Sequence, residues 1–113
     1  MSYIDYAEEA RQHRLEAQRH YYRARADTRR ATEYEGYARN HDDLAGWWSR
    51  RVGTIADEDG DAAEQAELHR KDAEVLRHLA QTVRDTVPKS RERARFYNDL
   101  ARSYDKLSEN EGR

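Results

Sequence analysis

Residues 7–38 read AEEARQHRLEAQRHYYRARADTRRATEYEGYA, and within this stretch alanine returns at every seventh position from residue 10 to residue 38. Positions seven residues apart stay on one face of a helix that coils around a neighbour. Alanine on that face lets two helices approach closely, although each methyl group buries little apolar area. The stretch therefore predicts a long helix with a narrow contact seam. Tyr21, four residues after Ala17, is expected on that seam.

The helical pattern continues beyond this stretch, and it predicts an all-α fold. Breaks are expected at the weak helix formers of NHDD (residues 40–43) and at the acidic turn DEDGD (residues 57–61). A third break is expected before Pro88, because the residue that precedes a proline avoids helical geometry. The predicted helices cover about residues 3–39, 43–56, 61–87 and 89–107, followed by a frayed tail at 108–113.

These helices predict a single domain, residues 1–113, built as an elongated helical hairpin closed at DEDGD with a third major helix after Pro88. The architecture is a three- to four-helix bundle or a coiled-coil-like assembly. A core that consists largely of alanine is thin for helices of this length. We therefore expect the chain to complete its burial by self-association, as a homodimer.

Composition excludes several classes of protein. The chain has no cysteine, which rules out disulfides and thiolate metal sites. No apolar run approaches the ~18 residues of a membrane span, and the N-terminal residues lack the features of a signal peptide, so a cytoplasmic location is expected. There is no glycine-rich phosphate loop and no glycine-flanked nucleophilic serine, and DEDGD departs from the EF-hand pattern. We expect no enzyme and no cofactor.

The strongest candidate for a binding surface is LAGWWSRRVG (residues 44–53), where two tryptophans are adjacent. Neighbouring side chains on a helix point about 100° apart, so both rings cannot face one core. Trp48 continues the hydrophobic stripe and is assigned to the core. Trp47 shares a face with Leu44 and Arg51, a combination typical of binding hot spots. Burial of both rings beneath the last helix remains the alternative.

Tyrosines add further contact area with a polar tip, which suits a wet interface. Tyr34 and Tyr37, spaced by three, lie near the tryptophans in sequence and join the expected partner-binding set. That set is Leu44, Trp47, Arg51, Tyr34 and Tyr37.

A nucleic-acid surface is the main alternative. Residues 11–30 carry seven arginines with two tyrosines among them, and this combination suits phosphate binding and base stacking. The candidates are Arg19, Arg23, Arg30 and Tyr22. Against this interpretation, the whole chain has a net charge of −2, whereas nucleic-acid-binding domains are usually basic.

A metal site is the second alternative. Imidazole and carboxylate groups suit zinc or iron, and one helix face carries both types at spacings of four, three and four. The candidates are Glu9, His13, Glu16 and His20. Glu74 and His78 offer similar groups, but a hairpin closed around Asp59 would place His78 near His41 and not near His13. A solvated helix face with i,i+4 pairs explains the same pattern.

Taken together, the sequence predicts a non-catalytic protein–protein interaction module that acts through helical faces. An adaptor, an inhibitor or an assembly factor would fit equally. The expected partner is another protein or a second copy of the chain, with no membrane involved.

Overall fold

The computed structural model describes residues 3–111, which form three α-helices and no strand. The helices are α1 (Tyr6–Ser49), α2 (Ala62–Arg84) and α3 (Val87–Glu111). The prediction of an all-α fold is confirmed. With 44 residues, α1 is by itself about 66 Å long at a rise of ~1.5 Å per residue.

Helix α1 begins three residues later than predicted. The backbone N–H of Glu8 donates a hydrogen bond of 3.1 Å to the Asp5 carboxylate, which makes Asp5 the N-cap. Glu8 then occupies the third helical position, where a carboxylate also favours the positive end of the helix dipole.

The predicted break near Asn40 is wrong, since α1 continues through residues 40–43 and no separate helix covers 43–56. Contacts with α2 explain the continuity. The His41 ring lies against His69, and the Asp42 carboxylate forms an ion pair with Arg77. Such tertiary contacts override the weak helix propensity of Asn and Asp. The helix ends at Ser49, and turns follow to residue 60.

The acidic turn before α2 is organised by one carboxylate. Asp57 accepts hydrogen bonds from the backbone N–H groups of Gly53, at 3.2 Å, and of Ala62, at 3.0 Å. Gly53 and Gly60 adopt φ angles of 71° and 70°, which side chains with a Cβ rarely tolerate. The DEDGD segment is therefore a closed turn that caps α2.

The boundary between α2 and α3 differs from the prediction. Helix α2 ends at Arg84, and Pro88 lies in the first turn of α3 instead of terminating a helix. Proline is tolerated there because the first backbone N–H groups of a helix have no intrahelical acceptor. Helix α3 continues to Glu111, so the predicted fraying from residue 108 is wrong as far as residue 111. Residues 112–113 lie outside the described residues.

The chain divides into two compact units. In unit 1, which takes in α1 up to Asp27 and the chain from Asp85 onward, the start of α1 pairs antiparallel with α3 through the ion pair between Arg14 and Asp105. In unit 2, Thr28–Arg84, the rest of α1 pairs antiparallel with α2. Unit 2 contains the hairpin that the sequence predicts at DEDGD. The single domain stays a prediction.

Both units share a buried column that we call the alanine seam. Its members are less than a tenth exposed and recur every seven residues, namely Ala10, Ala17, Ala24, Ala31, Ala38 and Ala45 in α1, and Ala66, Ala73, Ala80, Val87, Ala94 and Ala101 in α2 and α3. No large side chain among the described residues is fully buried. The core is therefore as thin as the sequence predicts.

A second column, which lies three residues after each seam alanine of α1 and begins one heptad earlier at Tyr6, faces the partner helix. We call it the ring seam because most of its α1 members carry rings, with Asp27 the exception: Tyr6, His13, His20, Asp27, Tyr34, His41 and Trp48. Tyr21, four residues after Ala17, is 40% exposed, so its predicted place on the seam is wrong. In a coiled helix pair the two contact columns are separated by alternating spacings of three and four residues. Here the second column lies three residues after each seam alanine, and its histidines and aspartate make it look like a polar face in the sequence.

In unit 1 the histidine rings of this seam stack almost parallel on tyrosine rings of α3. His20 lies over Tyr97 with centroids 5.5 Å apart and an interplanar angle of 3°. His13 lies between Tyr97 and Tyr104, at 5.9 Å and 5.3 Å. Asp27, which is buried, accepts a hydrogen bond of 2.7 Å from the Thr86 hydroxyl. The histidines and the buried carboxylate of this seam thus each contact a residue of the same unit.

Enlarging the alanine seam should destabilise the fold. Ala73→Leu places three extra carbons between two close helices, and the expected loss is about 1–3 kcal/mol in the free energy of unfolding. Ala63→Leu, at an exposed position of the same helix, is the control and should change stability by less than about 0.5 kcal/mol. Chemical denaturation followed by circular dichroism measures both. Equal losses in the two variants would contradict a close seam.

The start of α1 should show a pH-dependent contribution to stability. Hydrogen bonds from Arg11 and from Gln12 hold the pKa of the Glu8 carboxyl at about 2, below its ordinary 4.5. Because the folded pKa is the lower one, the stabilisation is complete above pH 4.5 and is lost as the pH falls from 4.5 toward 2. Titration by NMR should show the pKa of Glu8 moving toward its ordinary value in Arg11→Ala and staying low in Arg19→Ala. A Glu8 pKa near 4.5 in the unsubstituted protein would refute this interaction.

Candidate functional site

Trp47 and Trp48 lie at the C-terminal end of α1, and their environments differ. Trp48 is half-buried in the ring seam, as predicted, whereas Trp47 keeps 41% of its surface exposed. The two rings meet edge to face, with centroids 4.8 Å apart and planes at 86°. The near-perpendicular arrangement follows from their adjacent positions on the helix. Burial of both rings, the alternative raised from the sequence, is not observed.

Arg51 covers Trp47 from one side. Its guanidinium carbon lies 3.3 Å from the ring centroid, and Nη1 donates a hydrogen bond of 2.8 Å to the Trp47 carbonyl oxygen. The guanidinium is thus held in place at two points, and it fixes the orientation of the indole. A ring that is already oriented loses little conformational freedom when a partner binds.

An open cleft of about 470 Å³ adjoins the pair of tryptophans. The cleft is lined by Asp43, Leu44, Trp47, Trp48 and Arg50. Leu44 and Trp47 are both exposed there. The cleft therefore combines large apolar side chains with two charged residues, Asp43 and Arg50.

The two sides of unit 2 have opposite chemical character. On one side the helices are joined by the ion pairs of Glu35 with Arg84 and of Asp42 with Arg77, and Arg70 donates a hydrogen bond of 2.6 Å to the Ser49 hydroxyl. In an antiparallel helix pair, the positions that flank the seam on the other side face away from these bridges. The large exposed apolar residues of α1 and α2 in unit 2 occupy those positions.

We call this set the apolar face of unit 2, and its members are Tyr37, Leu44 and Trp47 of α1 with Leu68, Val75 and Leu79 of α2. Sequence analysis found the three α1 residues and missed the three α2 residues. The missed residues have a signal, since spacings of seven and four place them on one face beside the alanine seam. Of the other predicted contact residues, Tyr34 is half-buried in the ring seam, and Arg51 packs against Trp47.

The four residues of the nucleic-acid alternative lie on α1 and differ in their contacts. Arg19 forms an ion pair of 2.7 Å with Glu16, which lowers the positive charge available to a phosphate. Tyr22, Arg23 and Arg30 are exposed, and Arg23 follows Arg19 by four residues and precedes Arg30 by seven along α1. The structure brings these groups onto one flank of α1.

The predicted metal set does not converge on one point. His13 and His20 stack on tyrosines of α3, Glu16 pairs with Arg19, and Glu9 approaches His13 only to 3.8 Å. His78, which the sequence predicts near His41, is exposed, and the ring of His41 contacts His69 instead. Among residues 3–111, the ligand-type side chains that do converge are His41, His69 and Asp72.

Comparison of the chain with protein-family models, with curated proteins and with solved structures finds no match. None of the helices in residues 3–111 has the length and apolarity needed to cross a membrane. Functional inference accordingly rests on the geometry of the chain's own residues.

The cover that Arg51 provides can be tested by fluorescence. In a Trp48→Phe background, Arg51→Ala should increase quenching of Trp47 by acrylamide, because one face of the ring becomes accessible. The expected loss of stability is at most about 1 kcal/mol, the typical size of an exposed cation–π contact. Arg39→Ala, an exposed arginine of the same helix, is the control. Unchanged quenching in Arg51→Ala would show that the guanidinium does not cover the ring in solution.

Proposed function

We propose that this chain is a non-catalytic protein-binding module that acts through the apolar face of unit 2, and that its first partner is a second copy of the chain. One observation carries the proposal: six large apolar side chains lie exposed on one side of a helix pair whose buried hydrophobic core in unit 2 is alanine only. The usual distribution, with large apolar residues inside, is reversed.

The energetics favour a partner for this face. Burying a leucine or valine side chain contributes about 1.5–3 kcal/mol, whereas the methyl group of alanine contributes roughly 0.8 kcal/mol. A pair of helices whose buried hydrophobic residues are all alanines therefore leaves much of the hydrophobic stabilisation that its large side chains could provide unused. A second helix pair laid on the apolar face would bury the six side chains and complete a four-helix bundle.

The chemistry of the face suits a second copy. A twofold interface brings the same surface together with itself, so like charges at its centre would repel. The six side chains carry no charge. Asp72 is the carboxylate that lies among the α2 members of the face, and its Oδ2 atom is 3.8 Å from Nδ1 of His41. The exposed area of the six is on the order of 600 Å², close to the ~800 Å² that each partner contributes to a standard interface.

Trp47 is the expected anchor of the interface. Tryptophan and arginine are enriched among residues that dominate binding energy, and here Arg51 holds the indole in one orientation. Leu44 extends the same surface along α1, and both residues line the cleft. The chain has no cysteine and depends on no oxidising compartment, so we place this activity in the cytoplasm.

Light scattering and sedimentation equilibrium over a concentration series test the proposal. The unsubstituted chain should form a dimer, and Leu44→Asp or Leu79→Asp should weaken it by at least about tenfold, since each buries a charge in an apolar interface. Tyr22→Asp, at an exposed aromatic residue of unit 1, is the matched control and should dimerise normally. Circular dichroism confirms that each variant keeps its helices.

Two results would overturn the proposal. One is a chain that stays monomeric throughout the concentration series. The other is a dimer that both aspartate variants leave intact, which would place the interface elsewhere. Tight, steeply salt-dependent binding to duplex DNA that disappears in Arg19→Ala, Arg23→Ala and Arg30→Ala would instead establish the nucleic-acid function.

A further inference from the structure

Two histidines and one aspartate of unit 2 bring three ligand atoms together between α1 and α2. The Nδ1 atoms of His41 and His69 lie 2.9 Å apart, and His41 Nδ1 lies 3.8 Å from Asp72 Oδ2. One ligand atom from each of the three residues falls within 4.8 Å of the others. The histidines are half-buried, and Asp72 is exposed at the border of the seam.

Helix geometry explains why the three groups meet. His69 and Asp72 are spaced by three, so both project from the same side of α2. The ion pair between Asp42 and Arg77 fixes the antiparallel register of α1 against α2. This register places His41 opposite His69 and Asp72. Arg77 is engaged by Asp42, and among residues 3–111 the only ion pair of Asp72 is with His41. The carboxylate is thus available to a cation.

The ring seam does not by itself require this arrangement. In unit 1 the histidines of the same seam lie flat on tyrosine rings, with interplanar angles of 3° to 20°. In unit 2 the two imidazoles instead turn their Nδ1 atoms toward each other, and the ring planes are tilted by 33°. Only one proton fits between two Nδ1 atoms, so one of them presents a lone pair.

We propose that His41, His69 and Asp72 bind one zinc ion, with water at the fourth coordination position. Two imidazoles and one carboxylate form a common three-residue zinc site. Tetrahedral zinc with bonds of about 2.0–2.1 Å separates its ligand atoms by roughly 3.3 Å. The observed separations of 2.9 Å and 3.8 Å lie on either side of that value, so small rotations of the side chains complete the site.

The ion would replace the proton between the two imidazoles and join α1 to α2 by three bonds. An ion that binds only the folded chain stabilises the fold. This stabilisation would add to that of the alanine seam, which buries little apolar area. All three ligands come from one chain, so zinc binding does not require the proposed dimer.

Titration calorimetry with zinc alone, on protein free of any histidine tag, tests the site. The expected result is one ion per chain and an unfolding midpoint that rises by several degrees with zinc. Cobalt(II) in place of zinc should give the visible absorption of a tetrahedral site. His41→Gln and Asp72→Asn should each weaken zinc binding by at least about tenfold, the loss that follows even from removing a hydrogen-bond partner of a metal ligand.

His78→Gln is the matched control, because His78 is an exposed histidine of the same helix as His69. It should leave zinc affinity and the cobalt spectrum unchanged. Asp72→Asn alters an exposed side chain, so loss of binding in this variant with an unchanged circular dichroism spectrum cannot come from unfolding. Absence of zinc binding, or binding that persists in both His41→Gln and Asp72→Asn, would overturn the proposal.

Discussion

The close approach of helices along the alanine seam is the constraint on which the rest of the structure depends. Alanine at every seam position except Val87 lets the helices lie close together, and the neighbouring column of α1 carries mostly flat rings in the narrow space that remains. The near-parallel stacking of His20 on Tyr97, with planes 3° apart, fits such a slot. A seam of this kind specifies register through shape while burying little apolar area.

The thin seam also determines what lies outside it. Leucine, valine and tryptophan side chains that do not fit between the helices remain on the surface of each unit. In unit 2 they collect on the side opposite the ion pairs formed by Arg77 and Arg84. The helix pair therefore has one charged side and one apolar side, and a partner would bury hydrophobic area only on the apolar side.

Polar contacts between the helices help to specify the register in which the helices pair. The hydrogen bond between Thr86 and Asp27 anchors the start of α3 to α1 in unit 1, and the contact between His41 and His69 marks one register in unit 2. Buried polar pairs contribute less to stability than apolar packing, but a shifted register would leave them unpaired. The chain thus uses polar contacts where a leucine-rich coiled coil would use interdigitated side chains.

The sequence by itself determined the all-α fold, the alanine seam, the turn at residues 57–61 and the different directions of Trp47 and Trp48, because helical periodicity and turn chemistry are local properties. Only the tertiary structure decided that α1 continues past Asn40 and that the ring seam, not the column of Tyr21, is the second buried column. It also decided that Leu68, Val75 and Leu79 join the apolar face, and that His41 meets His69 instead of His78. These outcomes depend on the register between two helices, and that register is fixed by packing and ion pairs between residues distant in sequence.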